Sequence, residues 1–268
     1  MLSSIRGIAR QMPVNIPAIP KSLKRMVKGI LPRAVLQARE AYLTMRRDRE
    51  FSRLSAKDAF TKIYTEGLWA KSSNDPDSFS SGSGSRQPHI VATYIGAVEK
   101  FLTSLDQKKP NVVDLGCGDF FIGSQIRHLC GNYIACDIVD SLIARNKNIY
   151  RHMDVDFRVL DITSDELPDG DVVFVRQVLQ HLSNDLILNA IPKIESKYKY
   201  LLLTEHLPHS NSFAPNIDKP TGPDVRLRYE SGVVLTHPPF NMRAKRDVVL
   251  CQADVSGTLI QTRLYQFV

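Results

Sequence analysis

Asp114, Gly116, Gly118 and Asp137 are the residues whose types and spacing could do chemistry. The stretch "VVDLGCGDFF", residues 112–121, sets an acid late in an apolar run and follows it with two glycines one residue apart. Glycine has no Cβ, so a turn built on it lets a ligand approach the backbone closely. A dinucleotide turn needs a third glycine three positions after the second, and Phe121 stands there. A phosphate-cradling loop must end in Gly-Lys-Ser/Thr, which is also missing. About twenty residues on, "NYIACDI" places Asp137 where a carboxylate can accept both hydroxyls of a ribose. The pattern calls for a nucleoside that needs no pyrophosphate platform.

These residues must be held by alternating strands and helices, and from residue 110 the sequence supplies them. The runs "NVVDLG", "NYIACDI", "VDFRVLDI", "DVVFVRQV" and "YLLLTEH" are near-continuously apolar, as strands are when both faces of a parallel sheet are covered. Helical stretches separate most of them. The end of the chain holds two alternating runs around "DVSG", an antiparallel hairpin. The expected fold is therefore α/β, an open Rossmann-like sheet, mostly parallel with an antiparallel C-terminal hairpin and helices on both faces. In such sheets ligands bind at the carboxyl ends of the strands. Upstream, a helix within 51–70 has Phe60, Ile63 and Tyr64 on one face, and another follows "SGSGSR" from His89. Residues 207–241 carry six of the fifteen prolines and little periodicity.

Charge divides the chain. Residues 1–50 hold eleven Lys and Arg against three acids, a net +8, which leaves the remainder of this +7 chain near neutral. A basic field over the whole domain for gripping nucleic acid is thus not supported, whereas a basic, partly helical N-terminal extension is. Within it, "KSLKRMVKGI" spaces Leu23, Met26, Val27 and Ile30 as a short amphipathic helix. That helix suits an anionic membrane surface, or packing on the domain or a protein partner; the scarcity of acids also allows an organellar transit peptide. No stretch reaches the roughly 18 apolar residues of a membrane span, and no secretory signal is expected. The four cysteines lack metal-like spacing, so reduced thiols, a cytoplasmic setting and no metal are expected. Cys117 reads as a small filler of the glycine turn.

Together, "VVDLGCGDF", the "ACDI" acid and "LDIT" after the third strand resemble the class I S-adenosylmethionine-dependent methyltransferases, over roughly residues 90–268. The resemblance implies that Asp114 and Gly116 border the methionine end of S-adenosylmethionine or its product S-adenosylhomocysteine. Asp137 would hold the ribose, Asp161 and Ile162 would flank the adenine, Arg176 and Gln177 would lie beneath the sulfonium, and Cys117, Gly118 and Ile138 would also contact the cofactor. Many such proteins have a third glycine where this chain has Phe120, a departure expected to reshape the pocket. "IYTEGLW" and "SGSGSR" resemble a bacterial subset from polysaccharide and secondary-metabolite pathways. That likeness implies a lid of Trp69, Ser81, Gly82, Gly84, Ser85 and Arg86, with hydroxyls or Arg86 holding the cofactor's carboxylate. Residues 51–268 would then be the catalytic domain, with a helical cap over 51–109 and the sheet over 110–268.

Methyl transfer to a hydroxyl benefits from a general base. His181, just after the fourth strand, is the candidate. Glu205 and His206 end the fifth strand at the same rim, where one of them can face substrate. Arg226, Arg228 and Tyr229 are candidate substrate contacts, and Pro238 to Asn241, with Pro239 and Phe240, a candidate pocket wall. "HPPFN" lies in the wrong place for a base-methylating motif. The expected activity is O-methylation of a small molecule or glycan precursor. An RNA methyltransferase and an inactive cofactor-binding partner protein are the alternatives.

Overall fold

A computed structural model describes residues 33–69, 86–105, 109–210 and 212–267. The chain divides into two compact units, Met1–Arg47 and Asp48–Val268. The basic helix expected over 21–30 and the lid residues Ser81, Gly82, Gly84 and Ser85 lie outside the described residues. No helix among the described residues is long and apolar enough to cross a membrane.

Helix α1 spans Arg33–Phe51, and its last residue, Phe51, is buried. Helix α2 (Ala56–Thr65) starts where the Ser55 side chain accepts a hydrogen bond from the Asp58 amide at 3.1 Å, a cap for one of the free first-turn donors. It buries Phe60 and Ile63 as their spacing predicts, and it ends at Thr65, just before Gly67. Helix α3 (Pro88–Ser104) opens on a proline, whose missing N–H has no intrahelical partner at that position anyway.

The sheet follows as β1 (Val112–Leu115), β2 (Tyr133–Asp137), β3 (Asp156–Val159), β4 (Val172–Arg176), β5 (Tyr200–Pro208), β6 (Arg246–Val255) and β7 (Thr258–Gln266). Their spatial order is β3-β2-β1-β4-β5-β7-β6. The first five are parallel, and β7 enters antiparallel between β5 and β6. This is the expected mostly parallel sheet with its antiparallel hairpin. Ser256 and Gly257 close the hairpin with φ of 48° and 81°, the two left-handed residues a tight turn requires.

Alternation along each strand builds two cores. Val113 and Leu115 of β1 join Phe60, Val173 and Ile187 on one face, whereas Val112 joins Tyr94, Tyr133 and Phe174 on the other. The helices between strands are α4 (Phe121–Ile126), α5 (Asp140–Ile149) and α6 (Asn184–Lys197). Beyond the end of β5, the described residues of the proline-rich stretch are irregular apart from one short 3₁₀ turn, Arg226–Tyr229. Asn216 ties it together: its side-chain nitrogen donates to the carbonyls of Val234 and Pro238, both at 2.9 Å, and its oxygen accepts from Val234 at 2.8 Å.

Candidate functional site

The carboxyl ends of β1 to β4 open into a cavity of about 440 Å³. Asp114, Gly116, Cys117, Gly118, Asp137, Ile138, Asp161, Ile162, Arg176 and Gln177 all line it, and so do Trp69, His181 and His206. Parallel pairing explains the convergence, since register aligns Asp114 beside Ala135 and Leu115 beside Cys136, so the turns that leave β1 and β2 lie together.

The turn after β1 is built on left-handed backbone. Gly116 and Gly118 have φ of 83° and 56°, values that exclude most side chains without strain. At Gly116 space is as decisive as angle, because a Cβ there would meet Val178 Cγ2 at 2.3 Å. The turn is fixed from two sides. Asp137 accepts from the Gly118 amide at 3.0 Å and from Val139 at 3.1 Å, and Asn146 donates to the Gly118 carbonyl at 2.7 Å. Gln177, at the exit of β4, is also left-handed (φ 56°) and is held by a 2.7 Å bond from its amide to the Thr204 carbonyl.

Phe120 occupies the place of the third glycine, also with φ of 58°. It does not reshape the cavity. Its ring is fully buried beneath the turn, edge-on to Tyr133, Tyr150 and Phe157 at 5.5, 5.1 and 4.9 Å between centroids. Backbone strain of about 1–3 kcal/mol is offset by the burial of an aromatic side chain, which is worth a similar amount.

The acids of the site are strongly desolvated. Burial pushes Asp114 up to about 7, opposed by the Tyr133 hydroxyl that donates to it at 3.0 Å. Burial pushes Asp137 up to about 6, opposed by its backbone donors. A ligand bearing positive charge or hydroxyl donors would relieve both. Asp161 sits at the end of β3 with one oxygen tied to the amide and hydroxyl of Thr163, at 2.8 and 2.7 Å.

On the opposite wall His181 lies in a 3₁₀ turn, Leu179–His181, against Trp69 at 4.6 Å between rings. Trp69 itself donates to the Pro223 carbonyl at 3.0 Å. Burial, reinforced by the nearby Lys219 ammonium, pushes the His181 pKa down to about 3, so its imidazole is neutral at pH 7. Its Nδ1 is enclosed and has no hydrogen-bond partner.

Several expected site residues lie elsewhere. Glu205 and His206 point to opposite faces of β5, as neighbours in a strand must. His206 lines the cavity and its Nε2 is 2.6 Å from Thr258 Oγ1, whereas Glu205 is buried in the core, pushed up to about 8 by desolvation. Arg86 is not on the cavity wall: it pairs with Asp119 at 2.6 Å and lies over the Phe121 ring. Arg226, Arg228, Tyr229, Pro239 and Phe240 do not line the cavity either. The Arg226 guanidinium is buried and spends its donors on the carbonyls of Leu179, Leu182 and Ile217 and on Asn184. Arg228 is engaged by Asp48 and Asp224, Phe240 is core, and Pro239 is exposed.

Phe60, Tyr64, Tyr94, Gln180 and Ser256 also line the wall, although nothing in their sequence pattern marks them for it. The apolar stripe of α2 signalled a buried face, but a ligand-facing stripe and a core-facing one look alike. Among the described residues no cluster of His, Cys, Asp and Glu could hold a metal ion.

Residues 113–192 match the family model for a methyltransferase domain. No curated protein matches the chain by sequence. Among solved structures, the N-methyltransferase NodS from Bradyrhizobium japonicum WM9 with S-adenosyl-L-homocysteine is 14% identical, with a TM-score of 0.51 over 68% of this chain and 89% of that one. A complex of DhpI with SAH gives the same identity and TM-score over 79% and 96%. Magnesium protoporphyrin IX methyltransferase from Synechocystis PCC 6803 with bound SAM gives them over 80% and 98%. The fold is that of the class I S-adenosylmethionine-dependent methyltransferases.

Proposed function

We propose that this protein transfers a methyl group from S-adenosylmethionine to a small-molecule acceptor, with a hydroxyl of a small molecule or glycan precursor as the favoured target. One observation carries the reading: Asp114 and Asp137 converge on one cavity, at the tips of adjacent strands, around a turn opened by Gly116 and Gly118.

The residues fit the cofactor. Asp137 keeps lone pairs free for ribose hydroxyls, the glycines allow close approach, and Leu160 and Ile162 offer an apolar wall for a base beside Asp161. Asp114, short of donors in a desolvated site, suits the ammonium of the methionine end. When bound, S-adenosylmethionine supplies a methyl group already activated by positive sulfur.

The chain then has to position, desolvate and deprotonate. Positioning is worth up to about 7–11 kcal/mol in favourable cases. Neutral His181, whose Nε2 is the unprotonated nitrogen because the Gln180 amide nitrogen faces it at 3.3 Å, takes the proton of the acceptor hydroxyl as the new bond forms. Its low basicity reflects desolvation, so the Trp69 ring packed against it and the neighbouring Lys219 set the strength of this base. The N-terminal extension, residues 1–50, is proposed to bring the enzyme to a membrane-bound precursor or protein partner, and 51–268 to form the catalytic domain.

Calorimetric titration with S-adenosylhomocysteine tests the reading. Saturable one-to-one binding is expected, and no binding would overturn it.

A further inference from the structure

Arg176 ends β4, lines the cavity, and lies with its guanidinium carbon 5.1 Å from the centroid of the Tyr94 ring. Its Nε and Nη2 are enclosed and have no hydrogen-bond partner. Asp114, one of the acids whose charge acts on Arg176, accepts from Tyr133. A desolvated guanidinium with idle donors is unfavourable by itself, because each buried unpaired donor forfeits its hydration. Burial accordingly lowers its pKa from the usual arginine value. Beneath a sulfonium, where the family resemblance would set it, it would face like charge and gain nothing.

We infer that Arg176 is a carboxylate-binding residue, which holds a carboxylate inside the cavity beside Asp114 and Tyr94. Guanidinium geometry matches the two oxygens of a carboxylate, and the low-polarity wall strengthens the pair. The carboxylate can belong to the amino-acid end of the cofactor or to an acidic acceptor. The inference rests on the methyl-transfer reading for the identity of that ligand. It reassigns the carboxylate contact from Arg86, whose charge is already engaged by Asp119.

The test compares S-adenosylhomocysteine with 5′-methylthioadenosine, which lacks the amino-acid end, on the full chain. In Arg176→Gln, affinity for S-adenosylhomocysteine should fall about 10–100-fold while that for 5′-methylthioadenosine stays within about twofold. That result places the cofactor's carboxylate on Arg176. If S-adenosylhomocysteine binding is unchanged, sodium acetate is titrated into the saturated, ¹⁵N-arginine-labelled wild type. A shift of the Arg176 Nε–H signal would place an acceptor's carboxylate there. Unchanged affinity together with an unmoved signal would overturn the inference. Should Arg176→Gln fail to fold, Arg176→Lys asks the same question, since it keeps the charge but loses the two-pronged contact; a loss of several-fold is then expected. Failure of wild type to bind either nucleoside would instead overturn the methyl-transfer reading, and acetate added to the free protein would still decide the role of Arg176.

Discussion

The ring of Phe120 fills the space that Gly123 leaves open: a Cβ at position 123 would meet Phe120 Cε2 at 2.2 Å. The two residues form a complementary pair one helical turn apart, a large left-handed residue ahead of α4 and a missing side chain inside it. Phe120→Ala should destabilise the fold by about 3–5 kcal/mol, because it empties an aromatic site and keeps the strained backbone. Gly123→Ala should cost about 1–3 kcal/mol by overpacking. Denaturant unfolding measures both, and a neutral Phe120→Ala would contradict the packing account.

Affinity for S-adenosylhomocysteine should depend on pH through Asp114. Its carboxyl titrates near 7 in the free protein, and a cationic ammonium favours the ionised form. Binding therefore releases a proton below that pH. Affinity should weaken by up to about tenfold per unit as pH falls below 7, and level off above it. Asp137, raised to about 6, adds to the loss at lower pH. Calorimetry in buffers of different ionisation enthalpy would detect the proton, and Asp114→Asn should remove most of the dependence.

Glu205 gives a stability prediction of defined sign. Its folded pKa of about 8 lies above the ordinary value of 4.5, so the folded state holds a proton that the unfolded chain has released between those values. Its contribution is fully present below pH 4.5 and is lost as pH rises through 8, at up to about 1.4 kcal/mol per unit. Glu205→Gln should thus match wild type near pH 5 and exceed it at pH 9. The difference between the two unfolding curves isolates this group from His181, whose lowered pKa acts in the opposite direction.

For His181, the proposed role separates turnover from cofactor binding. His181→Ala should reduce methyl transfer about 10²–10⁴-fold while S-adenosylhomocysteine affinity stays within a few-fold of wild type. The wild-type rate should show no histidine limb near pH 6.5, since the imidazole stays neutral down to about 3. The acceptor for this assay comes from screening extracts with labelled cofactor. Undiminished turnover in the variant would remove His181 as base.

Much of the fold was legible because its signals are local. Apolar runs marked β1, β2, β4 and β5, and the spacing of Asp114, Gly116, Gly118 and Asp137 marked the turn between them. What escaped depends on direction in space. Glu205 and His206 are adjacent in sequence, and only strand alternation and register decide which one reaches the cavity. Arg226 has the composition of a surface contact, yet its donors close the loops around β4 from inside. Phe120 looked like a defect in a glycine motif because its complement, Gly123, carries no signature of its own. Trp69 could be assigned through resemblance, but its tilted ring contact with His181 joins residues 112 positions apart, a contact that no pattern along the chain encodes.

The most direct measurement is calorimetric titration of S-adenosylhomocysteine into wild type and Asp137→Ala at pH 8, with unfolding curves showing that both are folded. Wild type should bind one equivalent saturably, and Asp137→Ala should lose at least about tenfold in affinity as the hydroxyl acceptor disappears. Equal affinity in the two proteins, or no binding by wild type, would contradict the assignment of this cavity to an S-adenosyl cofactor.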